Sequence, residues 1–226
     1  MGKNTLKQQA SQDVIEYLQN SLKSGAILGV GTGSTVNEFI KLLPQIKQDI
    51  TIVSSSQQTS ALLKKQNLVV EDLNTVTHID YYVDGADEID ANLNMVKGGG
   101  GAMTGEKVLA SIAKKFLCIA GANKYVEKLG SFPIAVEVLP YARSIVGRAI
   151  VQLGGTPIYR EGFTTDNGNI IIDIYHPDFV INEVMETTIN NITGVVENGI
   201  FCHFPANILF LSCDTKVERI YADNHG

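Results

Sequence analysis

The segment Ala26-Ile27-Leu28-Gly29-Val30 restricts the possible folds more than any other. It is short and apolar and does not alternate, the pattern of a strand buried on both faces, as in the middle of a parallel sheet. Gly31-Thr32-Gly33-Ser34-Thr35 follows, and then Val36, Phe39, Ile40 and Leu43 recur at helical spacing up to Pro44. Strand, Gly/Ser/Thr turn and helix in that order make half of a parallel crossover unit. Upstream, Leu6, Ala10, Val14, Leu18 and Leu22 line one face of an amphipathic helix that Ser24-Gly25 stops. Downstream the same reading predicts strands over 50–53, 68–70, 79–83 and 116–120. It predicts helices over 58–65, from about Glu106 through Ile112, and over 122–129. Strands alternating with helices place this half in the α/β class, a parallel Rossmann-like sheet with helices on both faces.

The period changes after Gly130-Ser131. Strands are predicted over 133–139, 157–161, 169–175 and 195–203, with helices over 145–153 and 184–192. Asn167-Gly168 marks the turn between the middle two strands. The order β-α-β-β-α-β predicts a smaller α+β ferredoxin-like domain over about 131–206. Ile208 through Ser212 is strongly apolar and is expected to rejoin the first sheet, so that 1–130 and 207–226 form one domain. A chain of 226 residues accommodates that division.

Chemistry concentrates in Lys97-Gly98-Gly99-Gly100-Gly101-Ala102-Met103-Thr104-Gly105-Glu106-Lys107. Four consecutive glycines leave the backbone bare, so that amide N–H groups can approach a ligand closely. With a lysine before them and a glutamate after, the stretch suits binding an anion and moving a proton. Gly31-Thr32-Gly33-Ser34-Thr35 falls where a parallel sheet places ligands, beyond the carboxyl end of a strand, and a helix starting there offers free N–H groups to a phosphate. The same turn is compatible with a bare helix cap. A dinucleotide site would need an acidic residue after the second strand, where Ser54-Ser55-Ser56 stands instead. Asp84, Asp87, Glu88 and Asp90 crowd another strand end, and packed carboxylates raise one another's pKa.

Several classes are set aside. The net charge is −6 and no basic stripe interleaves with aromatics, so nucleic acid is not an expected partner. No apolar run approaches 18 residues, so no membrane span is expected, and the polar first nine residues lack a signal core. Cys118, Cys202 and Cys213 lack CxxC spacing, and His78, His176, His203 and His225 are scattered; reduced thiols and no bound metal are the expectation.

These motifs together, in order and over nearly the whole chain, resemble ribose-5-phosphate isomerase of the A type. Those carrying the resemblance are Gly31-Thr32-Gly33-Ser34-Thr35, Ser54-Ser55-Ser56, Asp84-Gly85-Ala86-Asp87-Glu88, Lys97-Gly98-Gly99-Gly100 and Glu106-Lys107. Val136-Glu137-Val138, Leu153-Gly154-Gly155 and Thr165-Asp166-Asn167-Gly168-Asn169 match as well. The resemblance implies interconversion of ribose 5-phosphate and ribulose 5-phosphate in the pentose phosphate pathway, without cofactor or metal. It implies Glu106 as general base, Asp84 and Asp87 facing the sugar, and Lys97 near the reacting oxygens. Thr32, Gly33, Ser34, Thr35, Gly85, Ala86, Gly98, Gly99, Gly100 and Lys124 fall on substrate-contacting positions. A cytoplasmic, self-associating enzyme, homodimer or tetramer, is implied too. Two positions depart from the family pattern: Gly101 stands where alanine is more usual, and Gly105 where a larger residue, often arginine, is expected. An extra glycine before Glu106 is expected to loosen the loop that aims it.

Overall fold

Strand β1 (Ala26–Val30) pairs in parallel with β2 (Ile50–Ser54) on one side and β3 (Tyr81–Gly85) on the other. The sheet continues through β6 (Phe116–Gly121) and β12 (Ile208–Ser212) and ends on β13 (Val217–Tyr221), the one antiparallel member. This computed structural model describes residues 3–176, 178–213 and 216–222; His225 lies outside them. Side chains alternate across the sheet between two cores. Leu28, Val30, Val83, Leu117, Ile119 and Phe210 pack under α1 (Lys3–Ser21), α2 (Ser34–Leu42) and α3 (Gln57–Lys65). Tyr82, Cys118, Ala120, Leu209 and Leu211 pack on the other face with α4 (Met103–Ser111). Burial on both faces is why these strands read as continuous apolar runs.

A second, antiparallel sheet has the order β10-β7-β9-β8, formed by β7 (Ile134–Val138), β8 (Thr156–Tyr159), β9 (Ile170–Tyr175) and β10 (Val195–Asn198). With α5 (Arg143–Gln152) and α6 (Glu183–Asn190) in the connections, the β-α-β-β-α-β order has ferredoxin-like topology. Its own core gathers Ile134, Val136, Val146, Ile150, Ile172, Ile174 and Ile189. A three-stranded seam joins the two sheets: β4 (Glu88–Ile89), β5 (Met95–Val96) and β11 (Ile200–Phe201).

Three expected elements differ. Residues 68–70 form no strand: Val69 is exposed, Leu68 N–H turns back to the Leu63 carbonyl (3.1 Å), and the segment meets β2 through the Glu71 N–H bond to the Ile52 carbonyl (2.8 Å). The helix expected over 122–129 shrinks to one 3-10 turn, Ala122–Lys124, because Val126 N–H is drawn to the Ile89 carbonyl, 2.9 Å. The strand expected over 195–203 is cut at Gly199. That residue donates to the Ala135 carbonyl and accepts from Lys97 N–H, both 2.8 Å, and so hands the chain from one sheet to another. A Cβ at Gly199 would stand 2.1 Å from the Lys97 carbonyl oxygen, so only glycine permits the crossing.

Candidate active site

The carboxyl ends of β1, β3, β6 and β12 lie together, and their following loops enclose a cleft of about 620 Å³. Strand order reverses at β1, with β2 to one side and β3 to the other, the place where open α/β sheets receive ligands. Thr32, Gly33, Ser34, Thr35, Gly85, Ala86, Asp87, Lys97, Gly98, Gly99, Gly100, Glu106 and Lys124 all line it. Segments up to about 90 residues apart in sequence are thus brought to one cavity.

The four carboxylates of the acidic turn part company. Asp84 is fully buried and does not line the cleft. Its Oδ1 accepts Thr32 N–H (3.0 Å) and Gly85 N–H (2.7 Å); its Oδ2 accepts the Tyr82 hydroxyl and Lys97 Nζ (2.9 Å). A Cβ at Gly31 would fall 1.9 Å from the Asp84 Cγ, so that glycine exists to admit the carboxylate. Asp87 faces the cleft, where Oδ2 accepts Gly99 N–H at 2.8 Å and Lys124 Nζ stands 4.0 Å from Oδ1. Glu88 turns away and accepts the N–H groups of Gly130 and Phe132, each 2.7 Å. Asp90 closes its own turn by accepting Asn92 and Asn94 N–H, each 2.9 Å.

Lys97 and Glu106 are buried and adjacent. Lys97 Nζ donates to the Gly85 carbonyl at 2.5 Å and lies 2.9 Å from Asp84 and 3.4 Å from Glu106 Oε2. Burial works against its charge, but the Asp84 and Glu106 carboxylates outweigh burial and hold the ammonium above lysine's ordinary range. Glu106 stands in the first turn of α4, only 4% exposed. Its Oε2 makes no hydrogen bond, and the Lys97 contact is ionic only. Burial first, then the Asp84 charge, push its carboxyl up to about 8, against the pull of Lys97.

At the other end, Gly33 precedes α2 with φ +134 and open space where a side chain would be. The first N–H groups of α2, with no partner inside the helix, face the cleft. The Thr32 hydroxyl belongs to a cluster with Ser55 (2.9 Å), Ser56 (2.7 Å) and Thr59 (3.0 Å) that ties the β1 and β2 loops together. Lys7 on α1 donates to Ser34 Oγ at 2.8 Å and lines the cleft, adding a cation beside the start of α2. Nothing in the sequence singled out Lys7, 27 residues from its partner. Asn123 and Ser212 also line the cleft and were not foreseen.

The departures at Gly101 and Gly105 have a physical cause. Gly105 sits inside α4, and a Cβ there would stand 2.0 Å from the Ser55 carbonyl oxygen. The glycine lets the helix seat against the end of β2 and does not loosen a loop. Gly101 has φ +73, and its Cβ would meet the Phe163 ring at 2.3 Å.

A Rossmann-like sheet with a Gly/Ser/Thr turn at a helix start and a buried glutamate–lysine pair in one cleft defines an α/β architecture suited to proton transfer on an anionic substrate. Residues 51–215 match the family model of ribose 5-phosphate isomerase A (phosphoriboisomerase A). Ribose 5-phosphate isomerase A from Neisseria gonorrhoeae superposes with a TM-score of 0.93 at 40% identity, covering 98% of each chain. The enzyme from Methanocaldococcus jannaschii gives 0.87 at 32% identity, over 97% of this chain and 100% of that one. A D-ribose-5-phosphate isomerase in complex with phospho-erythronic acid gives 0.91 at 32% identity, over 98% and 100%. The chain belongs to the ribose 5-phosphate isomerase A family.

Proposed function

We propose that this protein interconverts D-ribose 5-phosphate and D-ribulose 5-phosphate through an enediolate, with Glu106 as general base. The observation that carries the reading is the buried Glu106, which lines the cleft beside the Lys97 cation and whose Oε2 has no hydrogen-bond partner among the described residues. A carboxylate so placed is free to accept a carbon-bound proton, and its raised basicity improves the transfer. Thr32, Gly33, Ser34 and Thr35, with Lys7, receive the phosphate, whose binding energy orients the sugar.

Asp87, on the cleft wall, protonates the ring oxygen as the furanose opens. Asp84, committed to four donors, holds Lys97 in place instead. Glu106 then removes the proton beside the aldehyde and returns it to the neighbouring carbon. Negative charge gathers on oxygen between Lys97 and the bare amides of the glycine loop. Lys124, 4.0 Å from Asp87, adds a cation at the rim. We place the enzyme in the non-oxidative pentose phosphate pathway, as a cytoplasmic homodimer. Among the described residues no helix is long and apolar enough to cross a membrane.

The test is direct. Purified protein with ribose 5-phosphate and a chelator should form the ketose at an undiminished rate. Glu106→Gln keeps the shape but cannot take the proton, and should lose on the order of a thousandfold or more in turnover with modest change in KM. Near-normal turnover in that variant removes Glu106 from the role.

A further inference from the structure

The ferredoxin-like unit gives no side chain to the cleft, yet it reaches the glycine loop behind it. Arg160 follows β8 directly. Its Nε donates to Asp173 Oδ2 at 2.8 Å and its Nη2 to Asp173 Oδ1 at 2.5 Å. The guanidinium carbon lies 5.5 Å from the Phe163 ring centroid. Held on two sides, it directs Nη1 to the carbonyls of Gly98 (3.1 Å) and Gly99 (3.3 Å).

Those carbonyls belong to the peptides that carry the Gly99 and Gly100 N–H groups. Gly99 N–H is spent on Asp87. Gly100 lines the cleft, meets nothing where a Cβ would be, and its N–H has no partner among the described residues. A carbonyl that accepts from a guanidinium makes the N–H of the same peptide a stronger donor, and it fixes the plane of that peptide. Asp173 balances the arginine charge, so the effect acts through the peptide and not through a long-range field.

We propose that Arg160 is a positioning residue: through the Gly99–Gly100 peptide it aims and strengthens the Gly100 N–H that receives the oxygen turning anionic in the reaction. This rests on the isomerase reading only for the identity of that oxygen. A cross-strand ion pair that merely steadies the hairpin would affect stability and leave ligand discrimination untouched.

Arg160→Met separates the two. Affinity should be measured for phospho-erythronic acid, whose carboxylate can probe the anion site, and for inorganic phosphate, which reads the phosphate end alone. Phospho-erythronic acid should bind about tenfold more weakly while phosphate changes less than about twofold, and kcat should fall by a similar factor with KM little moved. In the ligand-free protein the Gly100 amide nitrogen resonance should move upfield. Arg160→Lys, which keeps a cation but loses the fork, should fall between and serves if the methionine variant folds poorly. A wild-type ratio of the two affinities together with an unmoved Gly100 resonance overturns the proposal. If the wild-type protein turns over no ribose 5-phosphate, the substrate reading fails by itself, and the Gly100 resonance still decides the role of Arg160.

Discussion

Glu106 and Lys97 share one electrostatic problem, and each sets the other's proton. Glu106 binds its proton tightly because it is buried near Asp84, and only Lys97 moderates this. The proposed base Glu106 must be ionised to act, so kcat/KM should rise as pH increases towards about 8 and level off above it. Lys97, held above its ordinary range, stays charged throughout. Lys97→Met removes the moderating charge. The acid limb of the residual activity should then move to higher pH, since burial and Asp84 act on Glu106 unopposed. A pH–rate profile of both proteins checks this, and a limb that moves down or stays fixed contradicts the coupling.

One helix sets the aim of that base. In α4, Thr104 donates to Glu137 on β7, Gly105 lies against the Ser55 carbonyl, and Lys107 donates to Glu186 on α6, 2.7 Å. The first turn of one short helix is thus held by three different parts of the chain. Gly105→Ala puts a methyl 2.0 Å from backbone oxygen, and backbone cannot yield as a side chain would. The helix must move, and turnover should fall about ten- to a hundredfold with KM changed far less; steady-state kinetics on the folded variant decide it. How much of this was legible varied with the range of the interactions. Strands β1, β6 and β12 were readable because burial on both faces leaves an unbroken apolar run. The glycine loop and Glu106 were readable because their chemistry is local. The break at Gly199, the loss of a helix after Lys124, the contribution of Lys7 and the fit of Gly105 depend on partners tens of residues away. No periodicity within a segment encodes them.

The whole molecule divides its labour. Outside the glycine loop and α4, the cleft is lined by α1, the start of α2 and the carboxyl ends and following loops of the parallel sheet, and the ferredoxin-like unit braces the glycine loop and α4 from behind. Lys107 is the deepest brace, nearly buried between Glu186 (2.7 Å) and Glu197 (3.0 Å) and 4.9 Å from the Phe201 ring centroid. Lys107→Met leaves the buried Glu186, beside the partly exposed Glu197, with no cation between them. It should cost about 3–5 kcal/mol of unfolding free energy, measured by urea denaturation. A loss below about 1 kcal/mol would mean that solvent reaches the pair.

The seam of β4, β5 and β11 has one more implication. Lys97 leaves β5 with its N–H fastened to Gly199, the residue that crosses between the sheets. The Lys97 cation is therefore suspended from the joint itself. The two halves cannot swing apart to admit a sugar, or drift apart on warming, and leave Lys97 in register. Substrate must then enter from above the carboxyl ends of the sheet, and heat should extinguish catalysis at the same temperature that parts the halves.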